Sequence, residues 1–262
     1  MRFEKFEGLG NDFILVEDSL DKERAEALCD RHRGIGADGV LVIDRNARSM
    51  RVLNADGSTP EMCGNGLRCV ALYLVKHGVF AERQSFSVET DAGPHGCAVD
   101  RDQVSVWMRH ASLDPRDLPV ASAQPVIDEA WTFGGETLRI TGVSMGNPHA
   151  VTFDDVGVGA RARLGPVVEV DARFPERTNV GFARLDGQRI VLDVWERGVG
   201  FTQACGTGAC AAAYAAVVTE RCERHRPTEI ELPGGILTIT VGDDGAPIQM
   251  EGPARHVFDG TV

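Results

Sequence analysis

The sequence lacks the features that mark membrane proteins and nucleic-acid-binding proteins. No apolar run in its 262 residues approaches the ~18 residues that a membrane-spanning helix needs. The first seven residues have no apolar core of the kind found in signal peptides. Positive charge is scarce, because 27 Lys and Arg residues face 39 Asp and Glu residues, which gives a net charge of −12. We therefore expect a cytoplasmic protein that binds neither nucleic acid nor a membrane.

The sequence also gives no indication of structural disulfide bonds. Its seven cysteines are an odd number, and a chain of this length can bury a core without covalent cross-links. Cys69 and Cys210 are predicted to be small buried residues on helices. Cys63 and Cys205 differ from the other cysteines in the residues that follow them.

Two closely similar motifs begin around these two cysteines: Met62-Cys63-Gly64-Asn65-Gly66 and Ala204-Cys205-Gly206-Thr207-Gly208. Each motif leads into a helical segment, so each cysteine is predicted at a helix N-terminus, where backbone N–H groups and the helix dipole favour negative charge. Such a position is expected to lower the pKa of a thiol. One motif in each half of the chain indicates two thiols that act as acid and base on one substrate.

Strand-like segments outnumber helical segments in this sequence. They are short and bounded by Gly, Pro or Asp, and many of them alternate polar and apolar residues. The predicted strands are 13–16, 39–43, 50–54, 85–89, 103–108, 138–141, 149–152, 189–195, 229–232 and 236–241. The predicted helices are 22–30, 66–76 and 206–219. The proline-containing segment 111–125 is predicted to be an extended linker near the middle of the chain.

The two halves also repeat other residues in the same order. Gly10-Asn11 precedes the first cysteine motif and Gly146-Asn147 precedes the second at a similar distance, and Asn54 and Asn179 follow the same pattern. This order predicts two related lobes of the α/β (α+β) class. Each lobe would be a mixed sheet wrapped around one long helix, with the active site in the cleft between the lobes.

Two thiols at two helix N-termini suit the removal of a proton from a carbon next to a carboxylate. That proton is weakly acidic, so a desolvated base must be aimed at the C–H bond, and donors must meet the charge that develops on the carboxylate. Helix N–H groups can supply those donors without a metal. One cysteine would remove the proton as a thiolate, and the other would return a proton to the opposite face as a thiol.

Three other interpretations of the cysteines remain open. Cys63, Cys69, Cys205 and Cys210 could form a zinc site, although their spacing differs from the usual zinc motifs. Cys63 and Cys205 could form a redox disulfide, which we expect as an oxidation product rather than as the function. A single nucleophilic cysteine with His149 as its base would leave the second motif unexplained.

The chain resembles the diaminopimelate epimerase family from end to end. Members of this family interconvert the L,L and meso forms of 2,6-diaminopimelate without a cofactor. The resemblance lies in blocks that occur in order: Gly8-Leu9-Gly10-Asn11-Asp12-Phe13, Gly36-Ala37-Asp38-Gly39, Asn54-Ala55-Asp56-Gly57, the first cysteine motif, Gly146-Asn147-Pro148-His149, Arg177-Thr178-Asn179, Glu196-Arg197-Gly198, the second cysteine motif with Ala209, and Pro233-Gly234-Gly235.

The resemblance implies a role for each site residue. Cys63 and Cys205 would be the catalytic thiols. The remaining substrate contacts would come from Asn11, Asn54, Gly64, Asn65, Asn147, Asn179, Glu196, Arg197, Gly206 and Thr207. The N–H groups at Gly64-Asn65 and Gly206-Thr207 would hold the carboxylate at the reacting carbon, Arg197 would bind the distal carboxylate and Glu196 the distal ammonium. His149 and Glu196 would tune the pKa values of the thiols.

The resemblance also implies the domain organisation and the partners. Residues 1–112 would form an N-terminal lobe with Cys63, residues 113–250 a C-terminal lobe with Cys205, and residues 251–262 a tail that returns to the first lobe. The substrate would be a small amino acid, no cofactor or metal ion would be needed, and Phe258 would contact the second subunit of a homodimer.

The chain departs from the common family pattern at three positions. Gly39 stands where many members have Gln, Phe201 stands where the family usually has Glu, and Phe258 stands where many members have Tyr. The nearest alternative is a racemase of histidine, proline or hydroxyproline on the same scaffold. Glu196 and Arg197, which would bind the distal ammonium and carboxylate, argue against a substrate that lacks a distal amino acid group.

Overall fold

The computed structural model describes residues 1–59 and 63–262. The chain forms two compact units, unit 1 (Met1–Met108 with Glu251–Val262) and unit 2 (Arg109–Met250). Met62, the first residue of the first cysteine motif, lies outside the described residues. None of the helices in the described ranges has the length and hydrophobicity that crossing a membrane requires.

Helices are few and strands are many in both units. The helices of the described chain are α1 Lys22–Cys29, α2 Gly64–Lys76, α3 Val158–Glu169 and α4 Gly206–Val218. The strands are β1 Arg2–Gly8, β2 Asn11–Val16, β3 Gly39–Asp44, β4 Ser49–Asn54, β5 Phe86–Thr90, β6 Gly93–Asp100, β7 Gln103–Trp107, β8 Glu129–Phe133, β9 Glu136–Ser144, β10 Pro148–Thr152, β11 Asn179–Asp186, β12 Arg189–Glu196, β13 Gly200–Phe201, β14 Thr228–Leu232, β15 Gly235–Thr240, β16 Gln249–Pro253 and β17 Arg255–Thr261.

Seven strands of each unit pair in the same topology; unit 1 adds β7 beside β6, and unit 2 adds β13 beside β12. In unit 1 the strands pair in the order β17–β1–β2–β3–β4–β5–β6–β7, with β2–β3 and β4–β5 parallel and the other pairs antiparallel. In unit 2 the order is β8–β9–β10–β11–β12–β14–β15, with β10–β11 and β12–β14 parallel. Each parallel pair is joined by a crossover that contains a helix, as parallel pairing requires. The repetition predicted from the sequence is therefore present as a repeated fold.

Strand register identifies the equivalent residues of the two units. Gly39 begins β3 and pairs with Phe13 of β2, whereas Asn179 begins β11 and pairs with His149 of β10. Gly39 and Asn179 therefore occupy the same place in the repeated fold.

The same register corrects the sequence-based equivalence of Asn54 with Asn179. Asn54 ends β4 opposite Gly39. Glu196 ends β12, one step beyond the pair of Val180 with Trp195, and so lies opposite Asn179. The equivalent residues are thus Asn54 and Glu196, a neutral amide in unit 1 and a carboxylate in unit 2. The order of residues in the sequence did not distinguish a residue that ends a strand from one that begins a strand.

The two long helices are deeply buried in their units. In α4 every residue from Gly206 to Ala216 is buried, because alanine, glycine and cysteine fit between neighbouring elements on all sides. In α2 the residues from Gly64 to Ala71 are buried and the helix ends near the surface at Lys76. Cys69 and Cys210 are fully buried within these helices, as predicted. All seven cysteines are free thiols.

The observed elements confirm the predicted fold class, two pseudo-symmetric α/β lobes of mostly antiparallel strands around long helices. Each predicted strand and helix overlaps an observed one. The sequence did not predict α3 or the strands β1, β6, β8, β11, β13, β16 and β17.

Candidate active site

Cys63 caps the N-terminus of α2. Its backbone is extended (φ −131°, ψ 92°), and its Sγ accepts a hydrogen bond from the Gly66 N–H at 3.3 Å. Its carbonyl accepts the Leu67 N–H at 2.9 Å. Cysteine here takes the place that Ser, Thr, Asp or Asn usually fills at an N-cap. The cap fixes the sulfur at the positive end of the helix dipole.

Cys205 caps α4 with the same geometry. Its backbone is extended (φ −121°, ψ 107°), its Sγ accepts the Gly208 N–H at 3.4 Å, and its carbonyl accepts the Ala209 N–H at 2.9 Å. The two thiols differ in exposure, since Cys63 is half-buried and Cys205 is only 6% exposed. Gly206 and Thr207 supply the first N–H groups of α4, which have no acceptor within the helix.

The last glycine of each motif leaves room for the sulfur. A Cβ on Gly66 would lie 3.1 Å from the Cys63 Sγ, and a Cβ on Gly208 would lie 3.2 Å from the Cys205 Sγ. The second Cβ would also lie 3.0 Å from a methyl group of Val194. Any side chain at these positions would therefore push against the thiol.

The surroundings of Cys205 disfavour its thiolate. Burial has the largest effect and, with the negative charge of Glu196, raises the pKa of Cys205 well above 9.0, although Thr207 and Gly208 donate hydrogen bonds to the sulfur. The sequence-based expectation of a lowered pKa is wrong for this thiol, because desolvation outweighs the helix N-terminus. Burial also raises the pKa of Glu196, opposed by hydrogen bonds from Thr202 and Cys205.

Hydrogen bonds connect His149 to Cys205 through two intervening side chains. The His149 Nε2 lies 3.1 Å from the Asn147 Oδ1, and the Asn147 Nδ2 lies 3.4 Å from the Thr207 Oγ1. The Thr207 Oγ1 lies 3.6 Å from the Cys205 Sγ. Burial and then the positive charge of Arg197 lower the pKa of His149 to about 3, so the imidazole is neutral at neutral pH and donates through Nε2.

Asn179 holds the backbone at Arg197. The buried Asn179 side chain accepts the Arg197 N–H at 2.9 Å and donates to the Pro148 carbonyl at 2.9 Å. The Arg197 guanidinium donates to the Glu176 carbonyl at 3.1 Å and remains partly exposed. Unit 2 thus brings Asn147, His149, Asn179, Glu196, Arg197 and Thr207 together around Cys205.

Unit 1 connects Asn11 to the first turn of α2. Asn11 follows a two-residue turn in which Leu9 and Gly10 both have positive φ (57° and 79°), as in tight β-hairpins. Its side chain donates to Asp38 at 2.8 Å and accepts from the Asn65 Nδ2 at 3.1 Å. Asn65, which is 4% exposed, is thereby tied to the hairpin.

Asn54 lies at the end of β4 and donates to the Ser58 Oγ at 2.9 Å. This contact resembles that of the equivalent Glu196, which accepts a hydrogen bond from the Thr202 hydroxyl. In both units a hydroxyl side chain on the following loop therefore holds the residue that ends this strand.

Sequence reasoning missed several residues that position the site. Asp38 orients Asn11 and is itself paired with Arg31 at 2.7 Å. Thr202 orients Glu196, and Glu169 contacts the turn after β12. Asp38 and Glu169 contact partners that lie far away along the chain, whereas Thr202 is close to Glu196 in sequence but follows no recognisable motif spacing.

The three departures from the family pattern have different surroundings. A Cβ on Gly39 would lie 2.8 Å from the Leu53 carbonyl oxygen, so a larger residue would require β4 to shift. Phe201 is 44% exposed, and its ring meets that of Trp195 edge to face at 5.2 Å. Phe258 is 45% exposed. Among the described residues no group of three or more His, Cys, Asp and Glu side chains is arranged to hold a metal ion.

Comparison with known proteins identifies the family. The family model described as diaminopimelate epimerase matches residues 3–113 and 141–257. The chain belongs to the diaminopimelate epimerase family. It is 45% identical, over an alignment 279 positions long, to the diaminopimelate epimerase of Desulforudis audaxviator, covering 99% of this chain and 98% of that protein. It is 42% identical to the diaminopimelate epimerase of Geobacillus thermodenitrificans, with 98% and 95% coverage.

Solved structures of low sequence identity have the same fold as this member of the diaminopimelate epimerase family. A PhzF-family phenazine biosynthesis protein of Bacillus anthracis has a TM-score of 0.70 at 18% identity, covering all of this chain and 98% of the other. A hydroxyproline epimerase from Agrobacterium vitis, solved with bound trans-4-hydroxy-L-proline, has a TM-score of 0.66 at 16% identity, with 100% and 90% coverage. At these identities the similarity establishes the fold alone.

Proposed function

We propose that this protein converts L,L-2,6-diaminopimelate to the meso form without a cofactor, in the synthesis of lysine and of peptidoglycan precursors. The observation that carries the proposal is the pair of cysteine N-caps, which share backbone geometry, hydrogen bonds and the adjacent glycine in two units of the same topology. Family membership supports the substrate, since the curated relatives that the chain matches at 40–45% identity are named for it.

The proposed reaction consists of two proton transfers at one carbon. The Cys205 thiolate takes the α-proton of the L,L substrate and becomes a thiol, and the electron pair left behind delocalises into the α-carboxylate. The Cys63 thiol then donates its proton to the opposite face and becomes a thiolate. No atom is gained or lost, and the configuration inverts. The N–H groups at the start of α2 and α4 stabilise the charge that develops on the carboxylate.

Glu196 has a second proposed role as the proton acceptor of Cys205. The raised pKa of Cys205 means that the thiol, not the thiolate, is the resting form at neutral pH. A base next to the sulfur must then take the proton before Cys205 can act. Glu196 is hydrogen-bonded to Cys205, and its own pKa is raised by burial, which makes it a better proton acceptor than an exposed carboxylate. His149 supports Cys205 indirectly through Asn147 and Thr207.

The family resemblance suggests which residues would bind the distal end of the substrate. Arg197 would bind the distal carboxylate, with Asn54 and Asn179 as neutral donors, and the Glu196 carboxylate would attract the distal ammonium. Asn11, Asn65 and Asn147 would complete the polar lining. We further propose that the protein is a cytoplasmic homodimer in which Phe258 contacts the second subunit.

Proton NMR in D₂O tests the reaction directly. Reduced enzyme with L,L-diaminopimelate, and without added pyridoxal phosphate or metal, should incorporate deuterium at the α-carbon while the meso product forms. Cys63→Ala and Cys205→Ala should each abolish interconversion, whereas Cys222→Ala, which changes a half-buried cysteine outside both motifs, should keep the wild-type rate. An active single mutant at position 63 or 205 would exclude the two-base mechanism. No exchange by the wild-type enzyme would redirect the search to other amino acids.

A further inference from the structure

Glu169 is a buried carboxylate to which the proposed reaction assigns no role. It is the last residue of α3 and is 6% exposed. A buried carboxylate is costly unless hydrogen bonds satisfy it. Its Oε2 accepts the Trp195 Nε1–H at 2.7 Å, and its Oε1 accepts the Gly198 N–H at 2.9 Å and the Arg177 Nη1–H at 3.3 Å.

The partners of Glu169 bracket the residues proposed to hold the distal end of the substrate. Trp195 immediately precedes Glu196-Arg197, and Gly198 immediately follows that pair. One carboxylate therefore fixes both ends of this dipeptide. The turn is tightened further by the Val199 N–H, which donates to the Glu196 carbonyl at 3.0 Å.

Glu169 also fixes the segment that leads into Asn179. Its carbonyl accepts the Thr178 N–H at 3.2 Å, while its side chain pairs with Arg177. Arg177 has a φ of 61°, a left-handed conformation that costs energy in a non-glycine residue and persists only where neighbouring contacts hold it. Asn179 in turn accepts the Arg197 N–H, so Glu169 supports the backbone of Arg197 from two sides, through Gly198 and through the segment that leads into Asn179.

The packing of α3 keeps the Glu169 carboxylate close to Trp195. Gly165 lies one helical turn before Glu169 and on the same face. A Cβ on Gly165 would lie 2.7 Å from the Trp195 indole, so the helix approaches this side chain as closely as a glycine allows. The position of the carboxylate is therefore set by two contacts with one residue, the ring against Gly165 and the indole N–H on Oε2.

We propose that Glu169 is a positioning residue that orients the Glu196-Arg197 turn for the distal carboxylate and ammonium of the substrate. The inference rests on the proposed function for the identity of the substrate, whereas the contacts that hold the turn do not depend on it. Glu169 acts through Trp195 and Gly198 and not by contact with the substrate, so its loss should weaken binding more than it slows proton transfer.

Kinetics of Glu169→Gln test this role. The amide keeps the size of the side chain but turns an NH₂ towards groups that are themselves donors, which breaks at least one contact. We expect KM for L,L-diaminopimelate to rise about tenfold with kcat within about twofold of wild type. In an Arg197→Met background, Glu169→Gln should raise KM by less than about twofold, because the guanidinium that it positions is gone.

Two companion variants make the test specific. Trp195→Phe removes the indole donor to Glu169, together with part of the ring that packs on Gly165 and Phe201, and should raise KM in the same direction by a smaller factor, even if Glu169→Gln folds poorly. Glu136→Gln removes a surface ion pair between β9 and Arg163 of α3 and should leave KM unchanged. A loss of kcat with unchanged KM, or an equal KM effect with and without Arg197, would overturn the proposal.

Amide hydrogen exchange separates a failure of this inference from a failure of the proposed function. The measurement needs no substrate, so it remains informative if diaminopimelate is not turned over. In Glu169→Gln, exchange should accelerate at 195–199 and 177–179 and stay unchanged in the β14–β15 hairpin. Unchanged exchange at 195–199 would overturn the positioning role whatever the substrate is.

Discussion

Burial sets how single ionisable residues of unit 2 respond to pH. His149 and Cys205 are both buried away from solvent, which favours their neutral forms. Burial lowers the pKa of the imidazole and raises the pKa of the thiol. The sequence motifs could assign both residues to the candidate active site. They could not give the direction of either shift, because the largest cause of both is burial, which depends on how segments far apart in the sequence pack together.

The lowered pKa of His149 should make the fold sensitive to acid. Its pKa is about 3 in the folded chain and 6.5 when unperturbed, so the unfolded state binds the proton more readily. The contribution of neutral His149 to stability is full above pH 6.5 and is lost as the pH falls towards 3. By about pH 5 the loss should reach ~2 kcal/mol in the free energy of unfolding.

Urea unfolding of His149→Gln checks this sensitivity. Between about pH 7 and about pH 5, the variant should lose ~2 kcal/mol less stability than wild type, because it has no imidazole to protonate. His110→Gln, which changes an exposed histidine of the same unit, should follow the wild-type profile. Equal pH dependence of wild type and His149→Gln would show that the buried imidazole does not control acid unfolding.

The negative charge of Glu196 should raise the pH at which the Cys205 thiol becomes reactive. This charge raises the pKa of Cys205, so Glu196→Gln should lower that pKa, although burial still keeps it above the ordinary value. Iodoacetamide labelling of the Cys205 peptide, followed by mass spectrometry, should therefore begin at lower pH in the variant. Turnover should nevertheless fall by at least about tenfold, because the proposed proton acceptor is lost. Labelling that moves to higher pH would contradict the electrostatic role.

At the scale of elements, the sequence predicts the helices and strands that have a regular alternation of apolar and polar residues or a recognisable start signal. The missed elements break that pattern for identifiable reasons. Helix α3 contains Pro166, and its N-cap, Gly157, makes no side-chain hydrogen bond, so the usual start signal is absent. Strand β1 has a register shift between Lys5 and Phe6, which interrupts the alternation of buried and exposed residues.

At the start of α4, Gly208 is unfavourable for helix formation but leaves the space that the Cys205 thiol needs. Gly208→Ala should stabilise an isolated helix by ~1 kcal/mol. In this protein the added Cβ would lie 3.2 Å from the Cys205 Sγ and 3.0 Å from Val194, so it should displace the thiol. We expect kcat to fall by at least about tenfold, since small displacements of a catalytic group are costly. Gly159→Ala in α3, which meets nothing within 4 Å, is the matched control and should keep full activity. Wild-type kcat in Gly208→Ala would show that the glycine serves the helix alone.

For the whole molecule, the repeated fold explains why two equivalent thiols have unequal surroundings. Both units supply a cysteine N-cap, but the residue that ends the equivalent strand is Asn54 in unit 1 and Glu196 in unit 2. Sequence similarity between the halves could predict the repetition. It could not predict this exchange of an amide for a carboxylate, which becomes visible only when strand register aligns the units.

The assembly of the molecule should depend on β17. Val257 is the extra residue of the bulge opposite Lys5 and Phe6, and it leaves two consecutive apolar side chains, Val257 at 50% and Phe258 at 45%, exposed on this strand. Apolar side chains exposed together favour association with another surface. We therefore expect sedimentation to give twice the 28.2 kDa mass of one chain for wild type. Phe258→Glu should shift the equilibrium to monomer, because a charge would be buried without a partner.

Val170→Glu is the matched control for this change. Val170 is 58% exposed after α3 in unit 2, so the same charge placed there should leave the dimer intact. The two variants separate a specific contact of β17 from a general effect of added charge. A Phe258→Glu protein that remains dimeric at low micromolar concentration, or a wild-type protein that is monomeric, would remove β17 from the interface. Dissociation of both variants would instead attribute the change to net charge, which is already −12 in this chain.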